Sequence, residues 1–192
     1  MRAFNPLSID ELGKSAVRAL MGYPSDTLPP EEAFSGAGVY TIHYSGAFKA
    51  YANLGDDPIY VGKADMPGRR QGMARASSRG VASWRVLYRR LAEHSRSIDS
   101  AANLTLADFA CRWLVLDPIW IGLTEQLLIS EYRPIWNVVV DGFGHHDQGR
   151  TRRNQQRSRW DTVHSGREWA NHYRPNRDTA ESILDAIAEH RK

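Results

Sequence analysis

Seven side chains in this 192-residue sequence have types and spacing that could do chemistry: Tyr40, Tyr60, Lys63, Arg90, His94, Glu125 and Asn137. The two tyrosines sit in Gly38-Val39-Tyr40 and Tyr60-Val61-Gly62-Lys63, each inside a run that reads as a strand. A phenol ionises near pH 10, so proton abstraction by Tyr40 or Tyr60 needs a cation or an acceptor close by. Arg90 and His94 are four residues apart on one expected helix and so share a face. Arg can neutralise charge building on a pentavalent phosphorane, and His can relay a proton near neutral pH. Glu125 has Ile121, Leu128 and Ile129 as its helical neighbours, which sets a carboxylate on an apolar stripe. A buried unpaired carboxylate costs several kcal/mol, so it must take a cation or a proton. One carboxylate with open water positions suits Mg²⁺, which keeps much of its hydration shell.

Each residue also has an ordinary reading. Tyr is at home on a pleated, half-buried strand. Arg90 and His94 share their helix with Arg85, Arg89, Glu93 and Arg96, as a solvated face would. Glu125 could be half of a core ion pair with an Arg, and Asn137 could be a plain strand-edge residue.

The elements that must position these groups follow from periodicity and breakers. Ser8 and Glu11 form a capping box for a helix to about Met21, with Leu12, Ala16, Val17 and Leu20 on its apolar face. Pro24, Pro29 and Pro30 then interrupt the chain. Strands are expected over 38–44 and 58–62, and a loop with broken helix over 65–79. A helix over 83–98 carries Trp84, Leu87, Tyr88 and Leu91 at helical spacing. A third strand over 109–116 ends at Asp117-Pro118, and a second core helix over 119–132 stops at Arg133-Pro134. Residues 135–140 read as extended up to an Asp141-Gly142 turn. A final helix over 178–191 opens on a second capping box, Asp178 with Glu181. The order suits a small α+β fold with a short sheet against helices.

Composition bounds the class. A hydrophobic fraction of 42% with six Trp and eight Tyr argues for a folded core rather than a disordered chain. No apolar run approaches the roughly 18 residues that a membrane span needs. The start, Met1-Arg2 and a mixed amphipathic segment, does not read as a signal peptide. Cys111 stands alone, which excludes an intramolecular disulfide and a multi-Cys zinc site; a cytoplasmic location is expected. Net charge is only +3, but 21 of the 25 basic residues are Arg, whose fork suits phosphates and guanine edges. A GC-rich coding sequence would give the same bias. Arg150, Arg152, Arg153, Arg157 and Arg159 fall in ten residues without an acid, as nucleic-acid contacts or as a solvated loop. Adjacent His145 and His146 read as surface residues of a Gly-rich loop.

The two tripeptides, followed in order by Arg90/His94, Glu125 and Asn137, resemble the GIY-YIG nuclease superfamily, with Val for Ile in both. Gly36-Ala37-Gly38-Val39-Tyr40, Pro58-Ile59-Tyr60-Val61-Gly62-Lys63-Ala64 and the stretch Trp136 to Gly144 resemble one branch more closely. So does the tail segment Trp160 to Ala170. That branch is the type II restriction endonucleases that cut CCGCGG. The resemblance implies a small antiparallel core flanked by helices. It divides the chain into an N-terminal helical arm (1–35), a catalytic core (36–142) and a C-terminal extension for recognition and packing (143–192).

It also implies roles. Tyr40 would activate the attacking water, helped by His94, and Tyr60 would orient the nucleophile or the scissile phosphate. Arg90 would bind that phosphate, Glu125 would hold one Mg²⁺ (with Mn²⁺ able to substitute), and Asn137 would support the site. Lys63 could lower the Tyr40 pKa. Arg69, Arg70, Arg150, Arg152, Arg153, Arg157 and Arg159 would contact DNA. Double-stranded DNA is the implied substrate, a palindrome implies a homodimer, and a separate cognate methyltransferase is implied as partner. Competing readings are a repair or homing nuclease of the same superfamily, a catalytically silent DNA-binding module, and a structural α+β protein.

Overall fold

The computed structural model of the chain describes residues 9–52, 54–66, 84–143 and 155–191. Four strands form one sheet, antiparallel at every pairing: β1 (Asp26–Thr27), β2 (Gly38–Tyr44), β3 (Tyr60–Ala64) and β4 (Phe109–Val115). Their spatial order is β1-β4-β2-β3. The helices are α1 (Ile9–Gly22), α2 (Val86–Asp99), α3 (Pro118–Tyr132), α4 (Ile135–Val138), α5 (Arg159–Val163) and α6 (Ala180–His190). The architecture is the expected α+β fold.

β2 is buried along its whole length because both of its edges are paired and both of its faces are covered. Its Tyr40, Ile42 and Tyr44 face a core with Leu87, Leu91 and Ile98 of α2 and with Trp136, Trp160, Val163, Ile183 and Ile187. Val39, with Val61 of β3, faces a second core built by Val17 and Leu20 of α1 and by Ile121 and Leu128 of α3. The N-terminal helix therefore packs under α3, and the C-terminal helices complete the larger core.

Several expectations shift. β1 was not foreseen; two residues held between prolines carry no alternation, and β4 supplies their pairing through Asp26–Cys111 and Thr27–Ala110. β3 lies two residues later than expected. Trp84, assigned to the apolar face of its helix, precedes α2 and is exposed, while Leu87 and Leu91 are fully buried. Residues 135–140 are not extended: Pro134 opens a helical turn in which the Val138 N–H bonds the Pro134 carbonyl and the Val139 N–H bonds that of Ile135. The β-branched run there suggests a strand, but local turn bonds and complete burial of the Trp136 side chain decide. The last helix is capped by Thr179, whose side chain accepts from the Ser182 N–H, and not by Asp178. The Asp141-Gly142 turn is present, with both residues at positive φ. Among the described residues no helix is long and apolar enough to cross a membrane.

Candidate active site

The register of the β2–β3 hairpin builds the centre of the site. Tyr40 lies opposite Gly62, and Tyr60 lies opposite Ile42, so both phenols emerge on one face, with the Thr41–Val61 pair between them. Their ring centroids are 6.1 Å apart. Gly62 has a steric reason: a Cβ there would overlap the Tyr40 phenol, which crosses β3 at that point. Gly38 has another, since its Cβ would strike the Leu114 carbonyl on β4. The two glycines of the tripeptides are what let three strands and a phenol pack this closely.

α2 supplies the next layer. His94 is buried, and its Nε2 lies 2.5 Å from the Tyr40 hydroxyl. The phenol hydroxyl can donate to Nε2 or accept from it, as the imidazole tautomer decides. Burial pushes Tyr40 well above the ordinary tyrosine range; the Tyr60 and Glu125 charges push the same way, and Arg90 opposes them. Tyr60 is raised as well, chiefly by burial, again against Arg90. Arg90, one turn before His94, is within electrostatic reach of both phenols and bonds Glu93 at 3.0 Å. Among the charges acting on Tyr40, Arg90 is the cation that lowers its pKa.

Lys63 has another partner. Its Nζ lies 2.5 Å from a Glu125 carboxylate oxygen, across the β3–α3 contact. The ion pair expected of Glu125 as an alternative exists, but with Lys instead of Arg. The Glu125 side chain is 19% exposed and Lys63 36%, so the pair lies at the rim of the sheet and not within the core. Glu125 therefore sits where a cation is already held by hard oxygen, within electrostatic reach of both phenols. Among the described residues no three His, Cys, Asp or Glu side chains converge. A lone, half-open carboxylate fits a Mg²⁺ ion that keeps most of its water.

Asn137 clamps β3. Its side-chain oxygen accepts from the Val61 N–H and its NH₂ donates to the Val61 carbonyl, both at 2.8 Å. The amide thus imitates one residue of a neighbouring strand on the outer edge of the sheet. It holds the backbone between Tyr60 and Gly62.

Of the Arg residues expected at DNA, Arg69, Arg70, Arg150, Arg152 and Arg153 lie outside the described residues, as do His145 and His146. Arg157 and Arg159 are described and have partners within the chain. Arg159 pairs with Asp178 at 2.6 Å and bonds the Val139 carbonyl, while Arg157 bonds the Ala170 carbonyl and Asn171. Within the chain these two hold the extension together.

Two residues in contact with the site were missed. Phe143 stacks on His94 with centroids 4.0 Å apart and meets Tyr60 edge-on at 5.0 Å. Arg167, in the tail, bonds the Phe143 carbonyl. No periodicity points to either; only the resemblance of the segments around them did.

The protein-family model described as the Eco29kI GIY-YIG domain matches residues 32–191. The chain belongs to that family. It is thus a GIY-YIG nuclease domain of restriction-endonuclease type, with DNA as its substrate. The match runs through the α6 helix, so the tail belongs to the family pattern together with the two tripeptides. A comparison with individually curated proteins returned no match.

Proposed function

We propose that this Eco29kI-type chain is a type II site-specific deoxyribonuclease that hydrolyses both strands of a GC-rich palindrome, CCGCGG. The observation that carries the reading is the gathering of Tyr40, Tyr60, Arg90, His94 and Glu125 at one end of the β2–β3 hairpin. The Tyr40 phenol keeps its proton at neutral pH, so it serves as a base only if that proton moves on as the water is deprotonated. His94 Nε2 is the acceptor within reach: the water proton passes to the phenol oxygen, and the phenol proton passes to Nε2. Tyr60 orients the nucleophile or the scissile phosphate, and Arg90 offsets charge gathering on the phosphoryl oxygens. Glu125 would hold Mg²⁺, or Mn²⁺ in its place, to supply further charge neutralisation at the phosphate. Lys63 holds the carboxylate until then. Asn137 keeps the Tyr60–Gly62 backbone in register.

Arg69, Arg70, Arg150, Arg152, Arg153, Arg157 and Arg159 are assigned to phosphates and guanines. A homodimer would place one site on each strand of the palindrome, and a cognate methyltransferase would protect the host sequence in the cytoplasm. The repair and homing alternatives are less favoured, because such nucleases carry separate binding or zinc domains and this chain has a single Cys. The test is digestion of a plasmid bearing one CCGCGG site, with Mg²⁺ and with EDTA, beside Glu125→Ala. One metal-dependent cut, reduced ~10³-fold or more in the variant, is expected. Cutting elsewhere would overturn the site assignment; duplex binding with no cutting under any metal would favour a silent binding module.

A further inference from the structure

The tail segment from Trp160 to Ala170 lies outside the chemistry above, yet one residue of it reaches the site. Arg167 is 5% exposed and its partner Asp161 2% exposed, with 2.6 Å between them. The guanidinium lies between two indoles, 4.3 Å from the Trp160 ring centroid and 4.7 Å from that of Trp169. Asp161 is itself fixed by the Ser158 hydroxyl at 2.5 Å. A buried ion pair of this kind contributes little net stability, because desolvation offsets the attraction. What it does supply is a fixed direction. Arg167 aims one N–H at the Phe143 carbonyl at 2.7 Å.

Phe143 in turn lies nearly parallel to His94, at 24° and 4.0 Å, and its edge contacts fix Tyr60 and Trp136. An imidazole turns about its Cβ–Cγ bond in a broad, shallow well. A ring stacked on one face removes that freedom and keeps Nε2 on the Tyr40 hydroxyl. We propose that Phe143, held by Arg167, is a positioning residue that sets the plane of the His94 imidazole for proton transfer from Tyr40. The tail segment then serves the reaction centre rather than DNA recognition. The inference rests on the nuclease reading for its kinetic part only.

The experiment is single-turnover cleavage of a CCGCGG duplex by Phe143→Leu, His94→Ala and the double variant, with DNA affinity measured in EDTA. Phe143→Leu should slow cleavage ~10- to 100-fold with affinity within about threefold of wild type. It should cost nothing further once His94 is gone, because the two act as a unit. An equal loss in both backgrounds, or no loss at all, overturns the proposal. Should Phe143→Leu fail to fold by thermal melting, Arg167→Lys removes the bond to the Phe143 carbonyl while keeping the charge, and the same cycle applies. A second readout is independent of cleavage: His94 ring-proton NMR shifts should lose the upfield displacement of a stacked phenyl. If the wild type cuts no duplex, the nuclease reading fails alone. Unchanged His94 shifts in Phe143→Leu would then sink the positioning claim by themselves.

Discussion

Tyr40–His94 and Tyr51–His164 are the same pair of side chains in two settings. In each, a buried phenol meets an imidazole Nε2, at 2.5 Å in the first and 2.6 Å in the second. Around Tyr51 the remaining capacity is consumed: His164 Nδ1 bonds the Asn103 side-chain oxygen, and Asn103 in turn bonds the Val163 carbonyl. The cation facing His164 is Arg167, buried against Asp161. Around Tyr40 the cation is Arg90, at the surface, with Tyr60 and the Glu125 carboxylate beside it. The first pair therefore has a partly exposed cation and a carboxylate within electrostatic reach, and the second does not. The second joins the turn at residues 49–51 to the end of α5. A tyrosine–histidine hydrogen bond is not a candidate site until neighbouring charge makes it one.

Replacing the exposed cation is the strongest way to break the contrast. Arg90→Leu should slow DNA cleavage ~10²- to 10³-fold while leaving thermal stability within about 1 kcal/mol, since a half-exposed Arg–Glu pair contributes little. Single-turnover rates and melting curves check it. A large stability loss with an unchanged rate would mean that Arg90, too, is structural.

Acid sharpens the other half. Burial, with Arg167, lowers His164 from 6.5 to about 3. The native state binds the neutral ring, so the unfolded chain takes up the proton first as pH falls. The His164 contribution is complete above about pH 6.5 and is lost progressively toward pH 3. Between pH 6.5 and 4 it amounts to about 3 kcal/mol. Urea titrations at both pH values should show His164→Gln losing less stability on acidification than wild type, by roughly that amount. His43, lowered to about 4 by burial and Arg112, remains in both chains and cancels in the difference.

The smallest effect concerns Lys63. If its ammonium competes with the metal for Glu125, Lys63→Met should tighten Mn²⁺ binding several-fold in the absence of DNA, about 1 kcal/mol. Titration calorimetry reads this directly. Weaker binding in the variant would instead make Lys63 a support of the metal site.

Much of the frame was legible because it is local. The run Gly38–Tyr44 emerged with its bounds intact, and α3 shifted by one residue at its start, where Asp117 caps and Pro118 leads. The stretch 135–140 was misread because its β-branched side chains say strand, while a bond to Pro134 and the Trp136 pocket say turn. At the site, residue identities were visible but their partners were not. Asp178 belongs to Arg159, nineteen residues away, Asn137 to Val61, and Lys63 to Glu125. Such pairs form between elements that periodicity treats separately. Phe143 and Arg167 were out of reach for the same reason.

The central claim is that the Tyr40 pair reacts and the Tyr51 pair holds. Single-turnover cleavage by His94→Ala and His164→Ala, each corrected for its folded fraction, tests it most directly. Expected are a His94→Ala whose folded molecules cut ~10²- to 10⁴-fold slower, and a His164→Ala destabilised by about 2–4 kcal/mol whose folded molecules still cut at the wild-type rate. Equal rate losses in the two variants, or a fully active His94→Ala, would contradict it.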